Sequence, residues 1–179
     1  MVFFRILTVL CIGIAFLLSC TRGVEREVVD YQNDKSIKLP EWECHQVYSI
    51  RPDSSGEGSF LEVVAFPKKK YPGFSMGWLN GDWTRFASLR IIARTRGKGP
   101  VRFSLTVWDG KGTYSVQNRF QKEFLLDTGW TLCELPIHAG MVKPNGEETD
   151  VRHITKVVFL TGNQASRTVF DIKKIQLQR

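Results

Sequence analysis

The sequence lacks the motifs of several common enzyme classes. It has only three histidines, His45, His138 and His153, whose spacing matches neither H-x-H nor H-E-x-x-H, so no zinc site is predicted. The segments Gly97–Gly99 and Gly110–Gly112 are too short for phosphate-binding loops and suit hairpin turns. Gly73–Gly77 matches G-x-S-x-G, but no helical pattern follows it, so Ser75 is not predicted to be a nucleophile. We therefore predict no catalytic residue and no required cofactor.

Long apolar runs and helical periodicity are also absent. The apolar run Ile6–Leu18 has about a dozen residues, which is too short to span a bilayer. No segment shows a convincing period of 3.6 residues, whereas about nine or ten short, regularly spaced segments have the pattern of strands. This pattern predicts an all-β fold, either a sandwich or a barrel.

The charge balance favours an acidic partner. The chain has 179 residues, and its hydrophobic fraction of 42% and charged fraction of 24% are typical of one globular domain. The formal net charge of +7 suits nucleic acid, an anionic membrane surface or an acidic polysaccharide. Lys and Arg are spread along the chain, so charge alone does not choose among these partners. We predict no nucleic-acid partner.

The N-terminal residues have the composition of a secretory leader. Arg5 is the only charged residue before Cys20, and Ile6–Leu18 supplies the apolar stretch. The end of this stretch, Leu17-Leu18-Ser19-Cys20, resembles the lipobox of bacterial lipoproteins, in which the cysteine after the cleavage point carries a lipid. The resemblance implies a signal peptide at residues 1–19 and attachment to a membrane through a lipid on Cys20. An ordinary signal peptide with an incidental cysteine is the alternative.

The mature chain is expected to be a tethered domain. Residues 20–27 have the composition of a lipidated tether, and residues 28–179 are expected to form the folded domain. Thr21, and not Asp, follows Cys20, which favours the outer membrane in bacteria that have one. The expected location is therefore the bacterial cell envelope, with the side of the membrane left open.

Two cysteines remain if the leader is removed and Cys20 is acylated. They are Cys44 and Cys133. An even pair outside the cytoplasm predicts a disulfide between them. Two separate buried thiols are the alternative that spacing alone leaves open.

The segment Val101–Gly110 alternates strictly between two kinds of residue. Phe103, Leu105 and Val107 point to one side. The opposite side carries Arg102, Ser104, Thr106 and Trp108. A period of two residues predicts a half-buried strand. We predict that this strand lies centrally in a sandwich and that its polar face lines a ligand groove.

Several short motifs follow one another in an informative order. They are Gly58–Val64, Tyr71–Gly73, Asp82–Leu89, Trp108-Asp109, Gly129–Pro136 and Phe170–Leu177. Together they resemble the galactose-binding-like β-jelly-roll domains, and most nearly the family 11-like carbohydrate-binding modules and the complex I intermediate-associated protein domains. The resemblance covers about residues 28–179. It implies an all-β, two-sheet jelly-roll sandwich of roughly nine or ten strands.

The resemblance also implies a glycan ligand on one sheet face. In such modules aromatic rings stack on sugars and polar side chains bond to hydroxyls. The candidate ligand-binding residues are Trp108, Arg102, Thr106, Ser104, Arg90, Arg94, Arg119 and Tyr114. Guanidinium groups match carboxylate and sulfate groups, so an acidic or sulfated glycan is expected. For the arginines, a merely solvated strand face is the alternative, and their grouping requires Leu89–Arg94 and Val101–Gly110 to be neighbours.

Jelly rolls of this kind often hold a structural calcium ion. Asp171 matches the acidic position of the closing strand. Gln32 follows Tyr31, where the related domains carry a glutamate, so Asp30 or Asp34 is expected to supply the other carboxylate. The alternative is that Asp171 bonds to backbone amides.

Two functions from different classes follow from this sequence. The first is a non-catalytic lipoprotein that holds an oligosaccharide or polysaccharide at the cell envelope. The second is an envelope assembly lipoprotein that uses the same sheet face for a protein partner. A small glycan-active enzyme is a third reading, but no Glu lies on an evident polar strand face.

Overall fold

The computed structural model describes most of the predicted domain. The described residues are 26–30, 42–44, 46–56, 58–67, 72–97, 99–138, 140–161 and 166–179, without the side chains of 26–30, 42–44, 46–47 and 78. The predicted signal peptide and Cys20 lie outside these residues. No helix among the described residues is long and apolar enough to cross a membrane.

The described residues form eleven strands. They are β1 (Arg26–Asp30), β2 (Trp42–Cys44), β3 (Gln46–Pro52), β4 (Ser59–Ala65), β5 (Gly73–Ser75), β6 (Ser88–Thr95), β7 (Val101–Trp108), β8 (Phe120–Leu126), β9 (Thr131–Pro136), β10 (Lys156–Leu160) and β11 (Thr168–Gln178). Single turns of 3₁₀ helix lie at Gly77–Leu79 and Val116–Asn118. Strand β1 begins at Arg26, two residues before the predicted start of the domain.

The strands form two antiparallel sheets that pack as a sandwich. The six-stranded sheet has the order β3-β4-β11-β6-β9, and β1 also pairs with β11. The five-stranded sheet has the order β2-β5-β10-β7-β8. Nine of the eleven strands have five residues or more, and β2 and β5 have three each. The predicted two-sheet jelly-roll sandwich is confirmed.

The prediction that strands β6 and β7 are neighbours in one sheet is wrong. Strand β6 lies between β11 and β9 in the six-stranded sheet, whereas β7 lies between β10 and β8 in the five-stranded sheet. The connection at residues 96–100 therefore crosses from one sheet to the other instead of closing a hairpin. Both kinds of connection use the same turn residues, so Gly97 and Pro100 could not distinguish them.

The core confirms the alternation that the sequence shows in β7. Phe103, Leu105 and Val107 are completely buried between the sheets. Phe103 contacts Phe159 of β10 and Phe170 of β11, with ring centroids 5.8 and 5.6 Å apart. Each such side chain contributes roughly 1.5–3 kcal/mol through burial. The strand thus lies in the middle of the sandwich, as expected.

The predicted disulfide is contradicted by the topology. Cys133 is a free, buried thiol on β9, and burial raises its pKa to about 11. Cys44 lies on β2, at one edge of the five-stranded sheet, while Lys122 of β8, at the other edge, donates a hydrogen bond to the Glu134 carbonyl of β9. Four strand spacings of about 4.8 Å therefore separate the two edges. A disulfide requires Cα atoms within about 7 Å.

Candidate functional site

The outward surface of the five-stranded sheet, here called the five-stranded face, carries the predicted polar side of β7. Arg102 is exposed, but Ser104 and Thr106 are buried, and Trp108 is only 8% exposed. On the neighbouring strands, Thr106 is paired with Val158 of β10 and Gln121 of β8. The alternation of β7 is thus correct, but most of its outward side is covered and is not an open groove floor.

An aromatic and cationic cluster covers Trp108. The Tyr114 ring meets the Trp108 ring edge-on, with centroids 5.7 Å apart. The Arg119 guanidinium lies 5.3 Å from the Trp108 ring centroid, and Lys156 Nζ lies 5.5 Å from that of Tyr114. Tyr114 itself is 69% exposed. Among the described residues of this cluster, the exposed ring is therefore that of Tyr114, and it packs against the buried Trp108.

Two buried polar groups on the same face have no hydrogen-bond partner. They are the Thr106 hydroxyl and the Trp108 Nε1 atom, neither of which is bonded within the described part of the chain. A buried polar group without a partner costs about 1–3 kcal/mol. Such groups in a native structure call for an explanation, and a bound water or ligand oxygen is one.

Arg102 forms an ion pair with a residue of the neighbouring strand β8. Its Nη1 atom donates a 2.8 Å hydrogen bond to Glu123 Oε2 of β8, and both side chains are exposed. An exposed ion pair of this kind contributes little to stability. Its effect is to place a paired donor and acceptor at the opposite end of the face from Tyr114.

The other two predicted arginines lie on the opposite side of the molecule. Arg90 and Arg94 belong to β6 and face outward from the six-stranded sheet. Arg90 Nε donates to Glu134 Oε1 at 2.9 Å, and this hydrogen bond lowers the pKa of Glu134. The expected single site is thus divided, because Arg102, Ser104, Thr106, Trp108, Tyr114 and Arg119 lie on or beside one sheet and Arg90 and Arg94 on the other.

Asp171 lies in an arginine cage on this second face. Its Oδ2 atom accepts hydrogen bonds from Arg94 Nε at 2.8 Å and from Arg96 Nε at 2.9 Å. Arg96 Nη1 also contacts Glu62 Oε2 at 2.9 Å, and Arg51 Nε contacts Glu62 Oε1 at 3.2 Å. Arg51, Glu62 and Arg96 were not predicted as site residues. Only the strand order β3-β4-β11-β6 brings them together.

Calcium binding at Asp171 stays a prediction. The buried Oδ1 atom of Asp171 has no hydrogen-bond partner among the described residues, whereas its Oδ2 atom lies in the arginine cage. Two guanidinium groups already bind its Oδ2 atom, and their positive charge opposes a nearby cation. The described residues hold no cluster of three or more His, Cys, Asp or Glu that suits a metal. Asp34 and the side chain of Asp30 lie outside the described residues, so calcium binding there stays a prediction.

The long loop between β9 and β10 is fixed to the end of β7. Lys143 Nζ lies 2.8 Å from Asp109 Oδ2, and both side chains are fully buried. Asp109 also accepts hydrogen bonds from the amides of Lys111 and Asp150. Asp109 is therefore a turn and loop anchor.

Several solved structures share the fold of this chain. The chain is similar to the family 11 carbohydrate-binding module of Clostridium thermocellum in complex with a β-1,3-1,4-mixed-linked tetrasaccharide. The TM-score is 0.60 at 18% identity, and the match covers 87% of this chain and 96% of that one. The fold is that of a carbohydrate-binding module. A family 30 module of a cellulosomal cellulase of the same organism also matches, with a TM-score of 0.56 at 10% identity over 87% of this chain and 97% of that one.

An exo-β-agarase contains a similar domain as one part of a longer chain. It matches with a TM-score of 0.64 at 17% identity, covering 85% of this chain but only 24% of the agarase. No family model and no curated protein sequence matches the chain. At these identities, the shared property is the carbohydrate-binding-module fold.

Proposed function

We propose that this protein is a non-catalytic lipoprotein that binds a glycan on its five-stranded face. The observation that carries the proposal is the Tyr114 ring, which is 69% exposed and rests on the buried Trp108. A rigidly supported ring loses little conformational entropy when a sugar stacks on it. The carbohydrate-binding-module fold supports the same conclusion, because several solved modules share it.

The surroundings of Tyr114 favour an acidic or sulfated glycan. Arg119 and Lys156 lie within 6 Å of the two rings of the cluster. Cationic groups at this distance attract a carboxylate or sulfate on a sugar that stacks on Tyr114. We therefore expect the affinity to fall as ionic strength rises, since salt screens partly exposed charges.

A lipid on Cys20 would hold this face at the bacterial envelope. The proposal rests on the leader Ile6–Leu18 and on the sequence Leu17-Leu18-Ser19-Cys20. The predicted tether at residues 20–27 overlaps β1 at Arg26, and this leaves about five residues between the lipid and the first strand. Such a short tether would keep the domain close to the membrane surface.

A second candidate is a protein partner on the same face. Leu125 of β8 is 61% exposed at the end of the face opposite to Tyr114. Exposed apolar side chains become significant for protein binding when they form a contiguous patch. The two residues lie at opposite ends of the face, so this arrangement favours a glycan chain running along the sheet.

A glycan array with the purified protein tests the proposal. We expect binding to a subset of acidic or sulfated glycans, weakening between low and physiological salt, without release of reducing sugar from the bound polysaccharides. Release of reducing sugar would contradict the non-catalytic assignment. Absence of binding to every glycan, together with stable capture of an envelope protein on this face, would favour the second candidate.

A further inference from the structure

The six-stranded face, meaning the outward surface of the six-stranded sheet, carries a cavity of its own. Its volume is about 530 Å³, and it is open to solvent. The lining residues are Arg51, Pro52, Ser54, Phe60, Glu62, Arg94 and Arg96. They come from β3, β4 and β6 and from the turns beside these strands. The two sheets separate this cavity from Tyr114.

The three arginines of the cavity are held in fixed orientations. Arg94 and Arg96 donate to Asp171 through Nε, and Arg51 donates to Glu62 through Nε. Arg51 and Arg94 contact these carboxylates through Nε, and each guanidinium also carries two terminal nitrogens. A guanidinium that is anchored at Nε presents these terminal donors as a preorganised fork, the geometry that matches carboxylate and sulfate oxygens.

Aromatic rings strengthen this arrangement. The Arg94 guanidinium lies 4.2 Å from the Trp130 ring centroid and 5.4 Å from that of Phe60. Arg96 lies 5.0 Å from the Phe60 ring. The two rings meet edge-on at 6.2 Å. These cation–π contacts restrict the arginines further and put apolar surface beside the donors, the combination that a sugar ring with a charged substituent requires.

The charges around the cavity leave a positive excess. Arg51, Arg94 and Arg96 line it, and Lys173 Nζ lies 5.6 Å from the Trp130 ring. Glu62 and Asp171 offset part of this charge through the hydrogen bonds already described. Asp53 is also near: its pKa is lowered, first by the Ser55 amide and further by the charges of Arg94 and Lys173. Among the described residues, four cations thus face three carboxylates.

We propose that this cavity is a second saccharide site, selective for a sugar that carries a carboxylate or sulfate group. Arg51 and Arg94 would bind the oxyanion through their terminal nitrogens. The half-buried Trp130 ring would supply the apolar contact, whereas Phe60 is 3% exposed and packs beneath Arg94 and Arg96. The inference extends the proposed glycan binding but does not depend on Tyr114. With sites on both outer faces, one molecule can bind two glycan segments, which raises the avidity for a polysaccharide network.

Calorimetric titration of the purified protein with three tetrasaccharides tests the second site. The probes are a polyuronate, a sulfated and a neutral tetrasaccharide, and the first two distinguish carboxylate from sulfate as the preferred group. We expect Arg51→Gln to weaken binding of at least one anionic probe at least tenfold. The variant should leave the Asp171 cage intact, because the ion pair of Arg51 is with Glu62 and the cage is formed by Arg94 and Arg96. In Tyr114→Ala, binding of that probe at the Arg51 site is expected to persist.

Arg90→Gln is the matched control, because Arg90 lies on the same strand and face as Arg94 and is also paired with a carboxylate. Unchanged anion affinity in Arg51→Gln would overturn the inference, as would an equal loss in Arg90→Gln or a wild-type protein that binds neither anionic probe. Anion binding that is lost in Tyr114→Ala but kept in Arg51→Gln would also overturn it while supporting the first site. Anion binding that is kept in Tyr114→Ala but lost in Arg51→Gln would contradict the Tyr114 site and support the second site.

Discussion

At the scale of single residues, the buried pair of Asp109 and Lys143 decides how the β9–β10 loop is held. The 2.8 Å contact between Lys143 Nζ and Asp109 Oδ2 has no exposure to solvent. Burial acts to raise the pKa of Asp109, but hydrogen bonds from Lys143 and from the amides of Asp150 and Lys111 outweigh it, and the pKa lies below its usual value of 3.8. The position of the loop therefore depends on an ion pair that is buried away from solvent.

Removal of one partner of this pair should be costly. We expect Lys143→Met to lower the free energy of unfolding by about 3 kcal/mol, because it leaves the Asp109 carboxylate buried with only backbone donors. Lys111→Met is the matched control, since Lys111 forms an exposed pair with Asp150. The unfolding free energy of Lys111→Met should fall by less than about 1 kcal/mol. Urea denaturation of both variants measures the difference, and equal losses would contradict this role of Asp109.

The same pair predicts a dependence of stability on pH. Because the folded pKa of Asp109 lies below 3.8, its contribution to stability is complete above that pH and is lost as the pH falls through the folded pKa. The stability difference between wild type and Lys143→Met should therefore be constant between about pH 6 and pH 5 and narrow towards about pH 2. Urea denaturation at each pH measures this difference in unfolding free energy. A difference that does not change between about pH 6 and about pH 2 would contradict this role of Asp109.

The sequence predicts which residues of β7 face the core, but not which residues cover the opposite side of the strand. Phe103, Leu105 and Val107 alternate with polar residues, and the alternation fixes which side of β7 faces the core. It does not show what lies over the other side. Trp108 and Tyr114 were both predicted to bind the ligand, yet Tyr114 from the following loop packs over Trp108. The exposed ring thus belongs to a segment without regular alternation.

At the scale of elements, the approach of β5 to β10 depends on a missing side chain. Gly73 is paired with Leu160, and a Cβ atom placed on it would lie 2.5 Å from Leu160 Cδ2 and 2.7 Å from the Phe159 carbonyl oxygen. Leu160 can change its rotamer, but the Phe159 backbone lies inside the sheet and cannot move without disturbing the pairing. This part of the five-stranded sheet therefore requires glycine.

Gly73→Ala should destabilise the protein by about 1–3 kcal/mol, the usual cost of overpacking. Gly129→Ala provides the control, because no atom lies within 4 Å of its added Cβ. The thermal midpoints of the two variants should separate by several degrees. A melting temperature of Gly73→Ala equal to that of the control would show that β5 and β10 have room to adjust.

The strand assignments were largely predictable, whereas the sheet assignments were not. Turn residues bracket β6 and β7, and their apolar patterns are clear. The partner of a strand depends on contacts far away in the chain, and β6 pairs with β11, about eighty residues later. The Arg94–Asp171 cage is a product of that pairing, so the sequence analysis could assign Asp171 only by resemblance.

At the scale of the whole molecule, the sandwich separates two charged and aromatic surfaces. The Tyr114 cluster lies on the five-stranded face and the Arg51–Arg94–Arg96 cavity on the six-stranded face. The buried aromatic core between them makes the scaffold rigid, so each surface is preorganised independently of the other. The lipid anchor proposed at Cys20 would place both surfaces at one membrane.

The anchor can be tested separately from binding. We expect Cys20→Ser to abolish incorporation of labelled palmitate and to release the protein from the membrane fraction, because the short apolar leader does not span a bilayer. Glycan affinity of the released protein should be unchanged, since the proposed binding residues all belong to the predicted domain at residues 28–179. Palmitate labelling that persists in Cys20→Ser would contradict the lipobox assignment.

Glycan affinity at the Tyr114 ring is the central claim, and a calorimetric comparison of Tyr114→Ala with Phe66→Ala measures it most directly. Phe66 is an exposed aromatic residue at the end of β4, away from the cluster, and is 40% exposed. Loss of one stacking ring, about 1.4 kcal/mol, predicts a roughly tenfold weaker Kd in Tyr114→Ala for the best glycan of the array. Phe66→Ala should match wild type. Equal affinities in all three proteins would contradict the claim.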